Sequence, residues 1–272
     1  MGLQNKDEYN YSLGYEVAES HWRNTYSRVG LDWHDKVTLD FGCHWGYLSL
    51  YQLENLGVAE AHGVDLTPHW EKMVEIWPNW DHDSIQNLHL HSGDLRKIGS
   101  LRDKTFDIIT STGTLMLLEH SHLEQTLLWF FDHLEPGGFA ILRTRTFFSH
   151  IGGDLHNLTN VPLAHIIFPG HVIDKFATEK IAWRPRGQEI LHSNGYPRYM
   201  NPMTASSYAM LSRRVGFELV ELVRHDSHIG KEEYSRFDDK LWYFDERDLR
   251  TGEITLFLRK PEVKRNLSEL EA

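Results

Sequence analysis

The stretch Asp40-Phe-Gly-Cys-His-Trp-Gly46 interrupts one apolar run and hands over to another at Tyr47. A strand that ends in a glycine turn and resumes as a helix presents unpaired backbone amides beyond the strand ends, and such junctions hold nucleotide-like cofactors. The glycine spacing is not the G-x-G-x-x-G of a dinucleotide pyrophosphate site, and no Lys-Ser/Thr pair follows for ATP or GTP hydrolysis. Instead Asp40 stands two residues before Gly42, and Asp65 closes the next apolar run 25 residues on. A carboxylate there can accept hydrogen bonds from both hydroxyls of a ribose. Asp94 closes the third run, and Thr112-Gly113 the fourth, at the crevice where open α/β sheets bind ligands. Trp45 and Tyr47 offer aromatic faces to a cation. His44 stands where a positive φ is expected, and histidine tolerates the left-handed region better than most residues.

Other chemistries find less support. Eighteen histidines invite a metal. His89 and His91 are two apart and share a face on a strand; His120/His122 and His225/His228 are the other close pairs. No H-E-x-x-H occurs and no third ligand has helpful spacing, so no metal is expected. No G-x-S-x-G elbow exists for a serine nucleophile, and Ser-Thr-Gly-Thr (111–114) does not replace one.

These residues need a scaffold, and the chain supplies one. Residues 36–42, 61–66, 87–94, 106–112 and 138–144 read as strands, apolar and bounded by turn signals. Helices are expected over Ser49–Leu56, from Thr67-Pro68, and from Ser121, where Ser121 and Glu124 have capping-box spacing. There Leu123, Leu127, Phe131 and Leu134 form one face, and Pro136-Gly137 is expected to end the helix. Strands alternating with helices imply a doubly wound, mainly parallel sheet. Residues 146–203, rich in His, Gly, Pro and aromatics, read as a lid-like insertion. Thr204 opens a helix with Tyr208, Leu211 and Val215 on one face. Residues 217–226 and 252–261 are two more strands, with a charged helix expected over about 231–249 and a solvated tail over 261–272.

A chain of 272 residues, 40% hydrophobic and 25% charged, suits one such domain. A net charge of −11 repels phosphate backbones, so nucleic acid and anionic membrane are not expected partners. Cys43 is the only cysteine, which excludes an internal disulfide and a cysteine zinc cluster. The polar start lacks a signal-peptide apolar region, no apolar run approaches a membrane span, and Lys6 does not suit myristoylation. A cytoplasmic protein is expected.

The landmarks LDFGCHWG, GVDL, SGDL, FDIITSTGTLMLLEH and LEPGGFAILRT, in this order over residues 36–145, resemble class I S-adenosylmethionine-dependent methyltransferases. That family's first loop reads D-x-G-C-G-x-G, so this chain departs from it at His44. The resemblance implies a seven-stranded Rossmann-like sheet, mostly parallel with an antiparallel last strand. It implies S-adenosyl-L-methionine held by Asp40, Gly42, Cys43, His44 and Gly46, by Asp65 with Leu66, by Asp94 with Leu95, and by Thr112 with Gly113. The 146–203 region also resembles that of bacterial small-molecule methyltransferases. The implied acceptor is a hydroxyl or amine of a small molecule, a glycan precursor or secondary metabolite. Its proton needs a base beyond the fifth strand, where His150 and His156 stand, with His156 the favoured one because Gly152 and Gly153 let the chain fold back; Arg143 and Arg145 could orient an acidic acceptor. One domain is expected: an N-terminal helical segment (1–35), a cofactor core (36–145), the insertion (146–203), the last helix and strands (204–260), and the tail. A homodimer is the one assembly allowed for. Two rival readings stay open: a catalytically silent methyltransferase-like protein that binds a partner protein, and a nucleotide-sugar or nicotinamide enzyme on a similar sheet.

Overall fold

A computed structural model of the chain describes residues 16–72, 85–150, 159, 161, 163–182, 200–227 and 245–262. Seven strands form one sheet: β1 (Val37–Phe41), β2 (Glu60–Asp65), β3 (Leu88–Ser92), β4 (Phe106–Thr112), β5 (Leu134–Arg145), β6 (Glu218–Asp226) and β7 (Thr251–Arg259). Their order is β3-β2-β1-β4-β5-β7-β6. β1 to β5 run parallel, and β7 runs antiparallel to both of its neighbours, β5 and β6. This is the doubly wound, mostly parallel sheet that the alternation of elements implies. The chain steps outward from β1 to β3, returns to β4 and proceeds the other way, so a crevice opens between the C-terminal ends of β1 and β4.

Burial follows this arrangement. β7 lies inside the sheet and is buried almost throughout, with Ile254, Leu256, Phe257 and Leu258 fully buried. β6 is an edge and carries Glu218, Glu221, Arg224 and Asp226, charges that discourage pairing with another chain. One face is covered by helix α3 (His120–His133) and helix α5 (Ala205–Val215), whose Leu123, Leu127, Phe130, Tyr208 and Leu211 pack on Leu39, Ile109 and Leu142. The other face is covered by helix α1 (16–24) and helix α2 (Tyr47–Leu56), with Tyr26, Trp33, Leu50 and Tyr51 against Ala61, Ile108, Ile141 and Phe257.

Several element ends differ from expectation. α3 starts one residue earlier, behind Glu119, with no side-chain cap, so Ser121 and Glu124 form no capping box. It also ends at His133 rather than at Pro136-Gly137, which lie inside β5. The reason is tertiary: Leu134 is buried and takes its place beside Phe106 in the sheet, while Lys260 Nζ donates to the carbonyl of Leu134 at 2.6 Å. After Thr67-Pro68 the described chain forms only a 3-10 turn, His69–Lys72. Within 146–203, helix α4 (Gly170–Ala182) was not anticipated; its Gly-His start and β-branched residues hide the helical period. The Thr204 cap is present, its hydroxyl accepting from the Ser207 amide at 3.1 Å. Most of the charged helix expected over 231–249, and His156 and His228, lie outside the described residues; Asp245 caps a single turn, Glu246–Leu249.

Candidate functional site

The turn after β1 has three left-handed residues, Gly42 (φ 78°), His44 (φ 53°) and Gly46 (φ 80°). At Gly42 glycine is required twice over. Besides its φ, a Cβ would lie 1.8 Å from Thr114 Oγ1, so the turns after β1 and β4 touch at this point. The amides of Gly42 and Cys43 both donate to the carbonyl of Val64, at 2.7 and 3.1 Å, which ties the turn to the end of β2. His44 adopts the left-handed conformation that its position demands. Its ring lies 4.3 Å from that of His69 and edge-on to Trp45, over the segment that follows β2.

Asp65 joins the same construction. Its Oδ2 accepts from the His44 amide at 3.0 Å and its Oδ1 from the Thr67 amide at 3.1 Å. Each carboxylate oxygen keeps a further lone pair. Leu66 beside it is 73% exposed, a large apolar side chain left at the mouth of the crevice. Asp40 lies beneath the turn, 4% exposed, and accepts from Thr110 Oγ1 at 3.0 Å. Burial raises its pKa to about 7; the Thr110 bond opposes this and the neighbouring Asp65 adds to it. Behind Thr110 a buried polar relay runs to α2: Thr38 Oγ1 donates to Gln52 Oε1 at 2.7 Å, and Gln52 Nε2 to Thr110 Oγ1 at 3.5 Å. Cys43 turns its thiol inward against Gly63, and burial pushes the thiol pKa up.

The remaining expected cofactor residues are placed less uniformly. Asp94 is gripped by Arg96: Oδ1 accepts from Arg96 Nε and Oδ2 from Arg96 Nη2, both at 2.9 Å, and this pair holds the carboxyl below its usual range. Leu95 is buried in the core with Leu101 and Leu115. Gly113 has φ 74° and open space around it, whereas Thr112 is engaged by a residue that sequence reasoning missed. Tyr26, fully buried in the N-terminal segment, brings its hydroxyl to 2.5 Å from Thr112 Oγ1. Burial raises the Tyr26 pKa strongly and the nearby Asp40 adds to that, so the phenol keeps its proton. The only sequence signal was the aromatic spacing Trp22, Tyr26, Trp33, and nothing in it points to β4.

Past β5, His150 is half-buried and its carbonyl accepts from the Leu163 amide at 3.1 Å. His165, unranked from sequence, donates from Nε2 to the carbonyl of Phe147 at 2.6 Å, while its buried Nδ1 has no partner among the described residues. Burial lowers its pKa. A cavity of about 230 Å³ lies on the same segment, lined by Val161, Ala164, Phe168, Val172, Ile173 and Phe176. Arg143 is committed to Glu253 on β7, its Nε 2.6 Å from Oε1, as an internal ion pair rather than a free cation.

Residues 38–138 match the family model described as a methyltransferase domain. No curated protein matches the chain. Among solved structures, an S-adenosylmethionine-dependent methyltransferase from Mesorhizobium loti is 18% identical, with 85% of this chain and 94% of that one covered and a TM-score of 0.52. A protein of Listeria monocytogenes assigned to the same enzyme class is 13% identical over 90% of this chain and 100% of that one, at 0.55. A structure of a Haloferax volcanii methyltransferase in complex with the activator Trm112 gives 13% identity, 95% coverage of both chains and 0.53. At these identities the likeness is one of fold.

Proposed function

We propose, from a chain whose residues 38–138 match a methyltransferase domain, that the protein is a class I S-adenosylmethionine-dependent methyltransferase that transfers a methyl group to a hydroxyl or amine of a small molecule. The observation that carries this is the joint built by Asp65: one carboxylate holds an amide of the turn after β1 and one of the turn after β2, beside the crevice, and keeps lone pairs for a ribose diol. S-adenosyl-L-methionine, the cofactor of this domain class, supplies when bound a methyl group already activated on a sulfonium. The chain's own task is then to align the acceptor and keep water out.

The other residues take roles that fit their places. The glycine turn from Gly42 to Gly46 brings backbone close to the cofactor, and Leu66 flanks it. Gly113 leaves room beyond β4. Asp94, already bonded to Arg96, has one lone pair of Oδ2 left for an amino group of the base. The acceptor enters from the segment after β5, where the apolar cavity by α4 suits a small molecule. His150, and His156 outside the described residues, are the bases proposed for its proton. Among the described residues no helix is long and apolar enough to cross a membrane.

Calorimetric titration tests the reading. S-adenosylmethionine and S-adenosylhomocysteine are expected to bind, and NAD and ATP not to. Two lost hydrogen bonds to a charged acceptor cost on the order of 2–4 kcal/mol, so Asp65→Ala weakens binding by more than about tenfold. Undiminished affinity in that variant moves the ribose contact elsewhere. Absence of any binding by the unaltered chain favours the second reading, a catalytically silent relative whose fold serves a partner protein. The Haloferax complex is compatible with the partner-binding part of that alternative, because a chain of the same fold there carries a bound activator.

A further inference from the structure

At the opposite end of β2 from Asp65, Glu60 and His62 on β2 stand beside His89 and His91 on β3, with His62 in register with His89. The spacing of His89 and His91 offers no third ligand along the chain; the register supplies two. Glu60 Oε1 lies 3.0 Å from His62 Nε2 and 3.0 Å from His89 Nε2. One ligating atom from each of these three residues falls within 4.8 Å of the other two.

His62 is the informative member. It is 5% exposed, and its buried Nε2 forms no hydrogen bond among the described residues although the Glu60 carboxylate is 3.0 Å away. The close approach therefore lacks the geometry of an N–H donating to oxygen. The other ring nitrogen is already engaged, Nδ1 standing 3.1 Å from His91 Nε2. With Nδ1 as the donor of that pair, Nε2 carries a lone pair, and a lone pair held against a carboxylate oxygen is repulsive unless a cation is shared between them. Tetrahedral ligands about 2.1 Å from a zinc ion stand about 3.4 Å from one another, close to the separations found. Glu60 is prepared for the same task. Lys104 Nζ holds its Oε2 at 2.5 Å, which orients the carboxylate and leaves Oε1 to the two imidazoles.

We propose that Glu60, His62 and His89 form a binding site for a divalent transition cation of the zinc type, with His91 orienting His62. Two imidazoles and one carboxylate suit zinc, cobalt or nickel better than magnesium or calcium, and three protein ligands leave a fourth position for water. Glu60 and Asp65 are five residues apart on one strand, which at about 3.3 Å per residue puts the site roughly 16 Å from the crevice. The ion therefore acts by fastening the edge strand β3 to β2 and takes no part in group transfer.

The test uses the full chain, stripped with a chelator and titrated with cobalt(II) alone. Binding is followed through its visible absorption, then reversed by competition with zinc(II). One equivalent is expected to bind with a tetrahedral-type spectrum, and zinc is expected to raise the thermal midpoint. His89→Asn, at a side chain 44% exposed and so tolerant of change, and Glu60→Gln are each expected to lower affinity by about tenfold or more. Circular dichroism confirms that both variants are folded. Absence of saturable binding by the unaltered chain overturns the proposal, and so does binding by both folded variants with unaltered affinity.

Discussion

Asp40 is a carboxylic acid buried beneath the glycine turn, and its burial gives the protein a pH dependence of predictable sign. Its pKa stands at about 7 in the fold against an ordinary 3.8, so the fold disfavours the ionised form. Stability is therefore lost as pH rises from about 4 through about 7 and stays level above. His62 works in the other direction: burial lowers its pKa to about 4, so stability is lost as pH falls from 6.5 toward 4. Comparing Asp40→Asn with the unaltered chain cancels the histidine. The midpoint of the Asn variant is expected to gain on that of the unaltered protein between pH 5 and pH 8, and melting curves at the two pH values measure it; parallel behaviour would place the titration elsewhere. The second residue-scale prediction concerns the acceptor's proton. His150→Ala or His156→Ala is expected to lower kcat by roughly 10²–10⁴-fold with cofactor affinity unchanged, the usual loss for a general base. A rise in KM at full kcat would instead mark a packing role. His165→Ala makes the comparison useful, because its Nδ1, without a partner among the described residues, is a base-like nitrogen that lies on the same segment. At this scale Gly42, His44 and Asp65 were legible because φ and strand-end position are local properties. Tyr26 was not, since nothing within its own stretch of chain encodes Thr112 as its partner.

At the scale of elements, the contact between the turns after β1 and β4 sets the width of the crevice. Gly42→Ala drives a Cβ into Thr114 and also places it at φ 78°, two costs that together amount to about 2–4 kcal/mol. The double variant Gly42→Ala with Thr114→Gly is expected to recover the collision and leave the backbone strain, about 1 kcal/mol. Urea melts of the two singles and the double close the cycle. Full additivity would mean that the turns do not bear on one another. Strands were read well from sequence because a buried strand is a short apolar run bounded by turn residues. Helix ends were read less well. α3 stops at His133 because Leu134 is wanted beside Phe106, a demand made by the sheet and invisible in the Pro136-Gly137 signal. α4 escaped for a different reason: it opens on Gly170-His171, with no Ser, Thr, Asp or Asn to mark its start.

For the whole molecule, the order β3-β2-β1-β4-β5-β7-β6 places every expected cofactor residue at one end of one sheet. It also sends the chain past β5 to that same end. Phe147 receives His165, the His150 carbonyl receives Leu163, and Asn201 returns to the carbonyls of Leu115 and Leu118 just beyond β4. The cover over the crevice proposed for 146–203 starts from these ties. Limited proteolysis measures it: a bound acceptor, or S-adenosylhomocysteine with an acceptor analogue, is expected to slow cleavage within 146–203 several-fold. Cleavage there at an unchanged rate would place the segment away from the site.

What the sequence determined by itself is what periodicity and backbone conformation carry locally: the alternation of strand and helix, the glycine turn after β1, and an acid at the end of each of the first three strands. The tertiary structure decided the rest. Gly42 against Thr114, Tyr26 against Thr112, and Glu60 with His62 beside His89 are each set by strand register and by the packing of segments far apart in the chain. A shift of one residue in that register would turn each strand's side chains to the opposite face, so no spacing along the sequence could have contained those pairings.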